Sequence, residues 1–392
     1  MMENGVSIII PTLNGGKIFA ECLDAIGQQD YAGPIQLIVI DSGSADGTVA
    51  RAEKAGALVK RIDPKQFHHA WTRNEGVSLA GFDPVVLMVQ DAVPCSDQWL
   101  GGMVRALKES GAAAAFAAQI PHADATPYAR FATESVARAR LGAPDVEKVN
   151  SLEAFNQLPY DDAYRSAGLD NVCAIYRKEI LEKTPFPDVE FAEDLAWAFE
   201  TTLLGHRILY LPHIQVRHSH NRSPDYDFRR QIINSHWVAR IMGRVREDIS
   251  YLSLQDLMFV TGSARALIFR LMKEKWRGPT ECKAERLFVD RMFKQYPLMF
   301  RGYRLFSRCL FIPPRLAVKG MAQQVNADIA YQLQLIEDGY PPRDRDEWLR
   351  ALEQVSANIL GRMHGEVYAG CMLNGSLPRP LECFIQPFLS GV

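Results

Sequence analysis

Short runs of apolar, largely β-branched residues, most of them stopped by a polar cluster, constrain this chain more than any other feature. Val6–Ile10 ends at Pro11, Ile35–Ile40 at Asp41-Ser42-Gly43-Ser44, and Pro84–Val89 at Gln90-Asp91, while Leu58–Ile62 is shorter. Runs that do not alternate read as strands buried on both faces. Between them, apolar residues recur at helical spacing: Ile18, Cys22 and Ile26, then residues 72–80, then Trp99, Met103 and Leu107. A short helix, Val49–Ala55, is opened by Asp46-Gly47-Thr48. Strands alternating with helices predict a doubly wound α/β sheet, mostly parallel and flanked by helices. Such sheets bind ligands beyond the carboxyl ends of their strands. The clusters Thr12–Gly16, Asp41–Thr48 and Gln90-Asp91 should therefore line one crevice. Further on, Asn171–Tyr176 and Arg207–Leu211 read as strands, and Phe191–Leu204 as a helix with Leu195, Phe199 and Leu203 on one face. From about residue 226 the alternation stops and the chain reads helical. The expected domains are residues 1–225, α/β, and residues 226–392, helical.

Composition narrows the class. Of 392 residues, 47% are hydrophobic and 23% charged, which excludes a disordered chain, a collagen-like repeat and a coiled coil. No apolar run approaches the ~20 residues of a spanning helix. Met-Met-Glu-Asn-Gly lacks a basic segment leading into an apolar one, so no signal peptide is expected. Seven scattered cysteines without a CxxC pair fit a reducing cytoplasm rather than a disulfide framework or a zinc site. The net charge of −2 hides an asymmetry, since residues 265–319 hold fourteen Lys/Arg against four Asp/Glu. That points to an anionic partner.

Each polar cluster has a chemical and a structural reading. Asp41, straight after a buried strand, can accept from a nucleobase or a ribose hydroxyl, and Asp46 stands at a helix start; the plain alternatives are a turn residue and a cap. Arg73 has the fork of donors that phosphate oxygens take, or it lies on a solvated helix face. Asp91, at the end of a buried strand, is costly there unless it meets donors or a cation; one carboxylate plus substrate phosphates is a common way to hold Mg2+ or Mn2+. Glu193-Asp194 suits a helix N-terminus electrostatically, or supplies a general base. His218 and His220, two apart on an extended segment, point the same way. They are a metal-ligand candidate or a surface pair.

In order and together, these clusters resemble the family 2 glycosyltransferases of the GT-A fold. Val-Ser-Ile-Ile-Ile-Pro-Thr-Leu-Asn-Gly-Gly is similar to the family's opening, as is Val39-Ile-Asp41-Ser-Gly-Ser-Ala-Asp46-Gly-Thr. Phe67-His-His69-Ala-Trp-Thr-Arg73-Asn74 resembles the family's Phe-x-His-Gly-x-Thr-Arg-Asn segment. Gln90-Asp91-Ala-Val-Pro94 and His218-Ser-His220-Asn resemble motifs of the rhamnosyltransferase-like branch, and Phe191-Ala-Glu193-Asp194 the family's Glu-Asp motif. The matches span residues 6 to about 222. The resemblance implies that Pro11, Thr12, Asn14, Asp41, Ser42, Asp46, His69, Arg73, Asn74 and Gln90 bind the nucleotide sugar. Asp41 and Asp46 would take base and ribose, and Arg73 and Asn74 the diphosphate side. Asp91 would ligate a divalent metal, Mg2+ or Mn2+, with His218 or His220. Asp194 would be the base, with Glu193 beside it. Gln90 stands where many relatives carry a further Asp, and Trp71 is bulkier than the residue expected there.

The implied reaction is an inverting transfer of one sugar from a nucleoside diphosphate sugar to a hydroxyl of a saccharide or lipid-linked acceptor. The branch points to dTDP-L-rhamnose as donor and to cell-surface polysaccharide as product. A scaffold that binds nucleotide sugar without turnover is disfavoured by Asp91, Asp194 and a histidine. A nucleotidyltransferase is disfavoured because no Gly-rich phosphate loop stands near residue 11. Residues 265–319 interleave their basic residues with Phe269, Trp276, Phe288, Phe293, Phe300, Phe306 and Phe311, and Arg301, Arg304 and Arg308 recur beside Tyr303. This pattern reads either as a helical bundle with an aromatic core or as a surface for anionic lipid at the inner face of a membrane. No nucleic-acid motif accompanies the charge.

Overall fold

A computed structural model describes residues 5–141, 149–246, 249, 252–275, 287–299 and 316–389. The chain divides into two compact units, Met1–Asp124 with Ala132–Ser219, and Ala125–Phe131 with His220–Val392.

The first unit is built on an eight-stranded sheet. In chain order its elements are β1 (Val6–Thr12), α1 (Gly16–Gly27), β2 (Ile35–Asp41), α2 (Thr48–Lys54), β3 (Leu58–Arg61), α3 (His69–Leu79), β4 (Val85–Met88), β5 (Val93–Pro94), α4 (Trp99–Ser110) and β6 (Ala114–Ile120). There follow α5 (Pro127–Leu141), whose residues up to Phe131 belong to the second unit, α6 (Leu152–Gln157), α7 (Tyr160–Ser166), β7 (Cys173–Tyr176), α8 (Lys178–Lys183), α9 (Glu193–Leu203) and β8 (Ile208–Arg217). The strand order is β3-β2-β1-β4-β7-β6-β8-β5.

The unbroken apolar runs are explained by two cores. Ile8 and Ile10 of β1 and Val39 of β2 face Phe19, Cys22 and Ile26 of α1 and Trp99 and Met103 of α4. Ile9, Ile38 and Ile40 face Ala70 and Val77 of α3 and Trp197 and Ala198 of α9. Successive residues of one strand thus feed opposite faces, and both are covered.

The expected parallel order holds for β3-β2-β1-β4. The sheet then becomes mixed, because β7 runs antiparallel to both β4 and β6. Its reversal carries the residues in front of β7 to the edge where β4 and β6 end. Val89 donates its N–H to the Val172 carbonyl there, at 3.0 Å. β8 lies parallel to β6 with a bulge, Leu211 standing opposite Ala117 but Gln215 opposite Ala118. Such a bulge re-aims the side chains that follow it.

The second unit is helical, with α10 (Pro224–Met242), α11 (Leu254–Lys275), α12 (Phe288–Met299), α13 (Leu316–Gly339), α14 (Arg345–Leu373) and α15 (Arg379–Leu389). Helices α10 and α14 pack closely because Gly361 and Gly365 present no side chain. A Cβ there would stand 2.6 Å from the Phe228 carbonyl oxygen and 2.7 Å from that of Ile232. Phe288 is a core residue, 3% exposed. Some of the basic excess is paired within this unit: Arg265 and Lys294 both meet Asp290, at 2.6 and 2.8 Å, and Lys275 pairs with Glu337. Trp276, Phe300, Arg301, Tyr303, Arg304, Phe306, Arg308 and Phe311 lie outside the described residues, as does the side chain of Phe293. Among the described residues no helix is long and apolar enough to cross a membrane.

Candidate active site

The carboxyl ends of β1 and β2 lie side by side, Thr12 opposite Asp41 in register. Asp41 is buried, 2% exposed. Its Oδ2 accepts the N–H groups of Gly43 and Ser44, both at 3.0 Å, and its Oδ1 accepts from the Thr12 hydroxyl at 3.3 Å. Ser42 donates through N–H and hydroxyl to the Thr12 carbonyl, at 3.0 and 3.1 Å. Asn14, in the left-handed region at φ +47, donates to Ser44 Oγ at 2.8 Å and accepts from Ala45 N–H at 2.9 Å. Asp46 accepts from Gly16 N–H at 2.8 Å and from the Thr48 hydroxyl at 2.6 Å. Those bonds, the hydroxyl first, hold its carboxyl below the ordinary range. The two loops are therefore knitted together before any ligand arrives. Pro11 sits half-buried opposite Ile40.

Gln90 binds this cradle to the next strand end. Its Oε1 accepts from Leu13 N–H at 2.9 Å, and its Nε2 donates to the Leu13 carbonyl at 3.1 Å. An amide can clasp a peptide in this two-way fashion and a carboxylate cannot. Asp91 follows, with its Oδ1 3.7 Å from Nε2 of the buried His218. Ligand atoms of Asp91, His218 and His220 all lie within 4.8 Å of one another. One carboxylate and one or two imidazoles form a donor set suited to Mn2+ or a similar ion, with room for substrate oxygens.

The Glu-Asp pair opens α9. Ala192 before it adopts φ +59, a left-handed conformation unusual for a residue with a Cβ. Glu193 is 5% exposed and pairs with Arg73, equally buried. Burial alone would raise its carboxyl, but Arg73, and then His69, hold it below the ordinary range. Asp194 takes the opposite course. Burial, then the charges of Glu193 and Asp170, push it up to about 7. Its Oδ2 accepts from Asn171 N–H at 3.1 Å and its Oδ1 from Leu195 N–H at 2.8 Å. One acid is thus kept ionised beside one poised near neutrality, a pairing compatible with a general base.

Arg73 and Asn74, expected at the diphosphate, have protein partners in this structure. Arg73 Nη1 meets Glu193, and it lies 3.3 Å from Nδ1 of the exposed His69. Asn74 clasps the Phe186 peptide, donating to its carbonyl at 2.9 Å and accepting its N–H at 3.0 Å. Trp71 is 42% exposed.

Three residues that the sequence did not mark as site candidates stand beside these groups. Asn171 holds Asp194 and also reaches Glu193, and its Oδ1 accepts from the buried Tyr176 hydroxyl at 2.5 Å. Gln119 meets His218 Nδ1 at 2.8 Å and donates to Asp170 at 2.5 Å. Asp170 and Asn171 lie just ahead of β7, not past the end of a strand. Their polarity at the mouth of an apolar run was the available signal.

Residues 7–184 match the family described as glycosyl transferase family 2. The O-antigen chain rhamnosyltransferase RfbN of Salmonella typhimurium is 31% identical over 254 residues, which cover 61% of this chain and 76% of that protein. This chain belongs to glycosyl transferase family 2. A second relative, the O-antigen chain rhamnosyltransferase WbaN of Salmonella anatum, is 30% identical to this family 2 chain over 57% of its length and 69% of WbaN. Among solved structures, the mannosyltransferase PcManGT from Pyrobaculum calidifontis, in complex with GDP-Man and Mn2+, matches at TM-score 0.46 and 17% identity. That match covers 92% of this chain and 86% of the mannosyltransferase.

Proposed function

We propose that this family 2 chain is an inverting rhamnosyltransferase of O-antigen synthesis. It would move L-rhamnose from dTDP-L-rhamnose to a hydroxyl of a saccharide or lipid-linked acceptor. Asp194 takes the acceptor proton while the hydroxyl oxygen attacks the anomeric carbon from the face opposite the diphosphate. The new C–O bond forms as the bond to the diphosphate oxygen breaks, so the configuration inverts and no covalent enzyme intermediate is needed. Arg73 keeps Glu193 ionised, which helps to hold the proton affinity of Asp194 near neutrality. Asp41 and the knitted 12–16 and 41–48 loops receive the nucleoside. Asp91 and His218, with His220, would hold a divalent cation that supplies positive charge to the departing diphosphate.

One observation carries this reading: an unbroken line of contacts joins the groups. It runs from Asp41 to Thr12, through Leu13 to Gln90-Asp91, across to His218, and by Gln119 to Asp170-Asn171 and Asp194. Support for the sugar comes from the two relatives, both O-antigen chain rhamnosyltransferases. The test is turnover of dTDP-L-rhamnose, UDP-GlcNAc and GDP-mannose with and without Mn2+, following nucleoside diphosphate release and the anomeric configuration of the product. Mn2+-dependent release from dTDP-L-rhamnose with an inverted product is expected. Inorganic pyrophosphate as product would make the protein a nucleotidyltransferase, and binding without turnover would make it a scaffold.

A further inference from the structure

The groups around His218 are arranged in a fixed order of donors and acceptors. Asp170 Oδ1 accepts the Val172 N–H at 2.9 Å, so the first turn into β7 sets the carboxylate's orientation. Its Oδ2 accepts from Gln119 Nε2 at 2.5 Å. A carboxylate only accepts, so the amide must face it with nitrogen. Gln119 Oε1 then faces His218 Nδ1 at 2.8 Å and must accept, so Nδ1 carries the proton. In a neutral imidazole the other nitrogen, Nε2, then carries the lone pair. That nitrogen stands 3.7 Å from Asp91 Oδ1, too far for a hydrogen bond and spaced as two ligands of one ion are. The β8 bulge builds this alignment. After it Gln119 pairs with Val216 and Ile120 with Arg217, and His218 N–H donates to the Ile120 carbonyl at 2.9 Å.

We infer that Asp170 and Gln119 are positioning residues forming a relay that presents the lone pair of His218 Nε2 beside Asp91, and that the polarity of this relay sets the divalent-cation affinity of the site. The inference rests on the metal reading of Asp91 and His218 above. Asp170 is also next in sequence to Asn171, which holds Asp194. The cation site and the base are thus anchored by adjacent residues at the start of one antiparallel strand.

Relay polarity can be inverted without changing shape. In Asp170→Asn the remaining oxygen is claimed by Val172 N–H, and an NH2 group faces Gln119. The glutamine amide must turn, its nitrogen then donates to Nδ1, and the proton moves to Nε2. In Gln119→Glu/Asp170→Asn the new carboxylate accepts from both neighbours, so the original polarity and the total charge return. The readouts are Mn2+ binding by the full-length protein, from the electron paramagnetic resonance signal of free Mn2+, and the His218 tautomer from long-range 1H–15N correlations. Asp170→Asn is expected to bind Mn2+ about 10–100-fold more weakly, as loss of such outer partners does elsewhere, with the proton on Nε2. The double variant is expected to regain affinity and the Nδ1–H tautomer. Gln119→Leu, which leaves Asp170 in place, provides a second route and should lose affinity similarly. Unchanged Mn2+ binding in Asp170→Asn and Gln119→Leu, or a double variant no better than Asp170→Asn, would overturn the relay while leaving the metal reading intact. Absence of Mn2+ uptake by the unaltered protein would overturn both.

Discussion

Replacing Asp194 with asparagine removes the proposed base and keeps its volume. A positioned general base is worth about 10²–10⁴ in rate, or about 3–5.5 kcal/mol of barrier. Nucleoside diphosphate release in a single turnover with dTDP-L-rhamnose should fall by that factor, with donor affinity retained. The unaltered enzyme has a further signature. Burial first, then Glu193 and Asp170, place the Asp194 carboxyl at about 7. A base acts when deprotonated, so the rate should be flat above pH ~7 and fall tenfold per unit below it. Stability carries the opposite sign. Because folding raises this pKa, the protonated form is favoured in the native state, and that contribution is lost as pH rises from about 4 through about 7. Both oxygens of Asp194 accept backbone N–H groups. Asparagine therefore sets an NH2 against one of them, costing about 1–3 kcal/mol. Asparagine avoids the buried charge, so the melting-temperature difference should move in the variant's favour between about pH 5.5 and pH 8.5. Turnover within about tenfold of the unaltered enzyme, or a profile without the acid limb, would show that Asp194 is not the base.

Other outcomes follow from the packing. Arg73→Ala strands a buried Glu193, both residues being 5% exposed, and should cost about 3–5 kcal/mol in urea unfolding, much of it recovered by adding Glu193→Gln. Two helical glycines should respond with opposite signs. Gly365→Ala drives a Cβ to 2.7 Å from the Ile232 carbonyl oxygen and should cost about 1–3 kcal/mol. Gly320→Ala on α13 meets nothing within 4 Å and should gain up to about 1 kcal/mol in the same urea series. Ala192, at φ +59, should tolerate glycine, whereas Ala192→Val should lower both the melting temperature and turnover, by about 1–3 kcal/mol in stability.

What the amino-acid sequence determined by itself was local. Ile8, Ile9 and Ile10 announce a strand covered on both faces, because no solvent-facing position interrupts them, and the sheet covers both. The polar residues that close such strands were legible for the same reason: Thr12 and Asp41 are the last residues of β1 and β2, and Gln90 and Asp91 lie just past β4. Glu193-Asp194 was visible at the head of an amphipathic helix. Tertiary structure decided the rest. Strand direction has no local signature in a four-residue element such as β7, so nothing in Cys-Ala-Ile-Tyr tells that Asp170 and Asn171 reach the crevice from the front of their strand. The partners of Arg73 and Asn74 were equally hidden. A guanidinium and an amide look the same in sequence whether they face a phosphate, a carboxylate 120 residues away or the Phe186 peptide, and only the folded chain chooses among them.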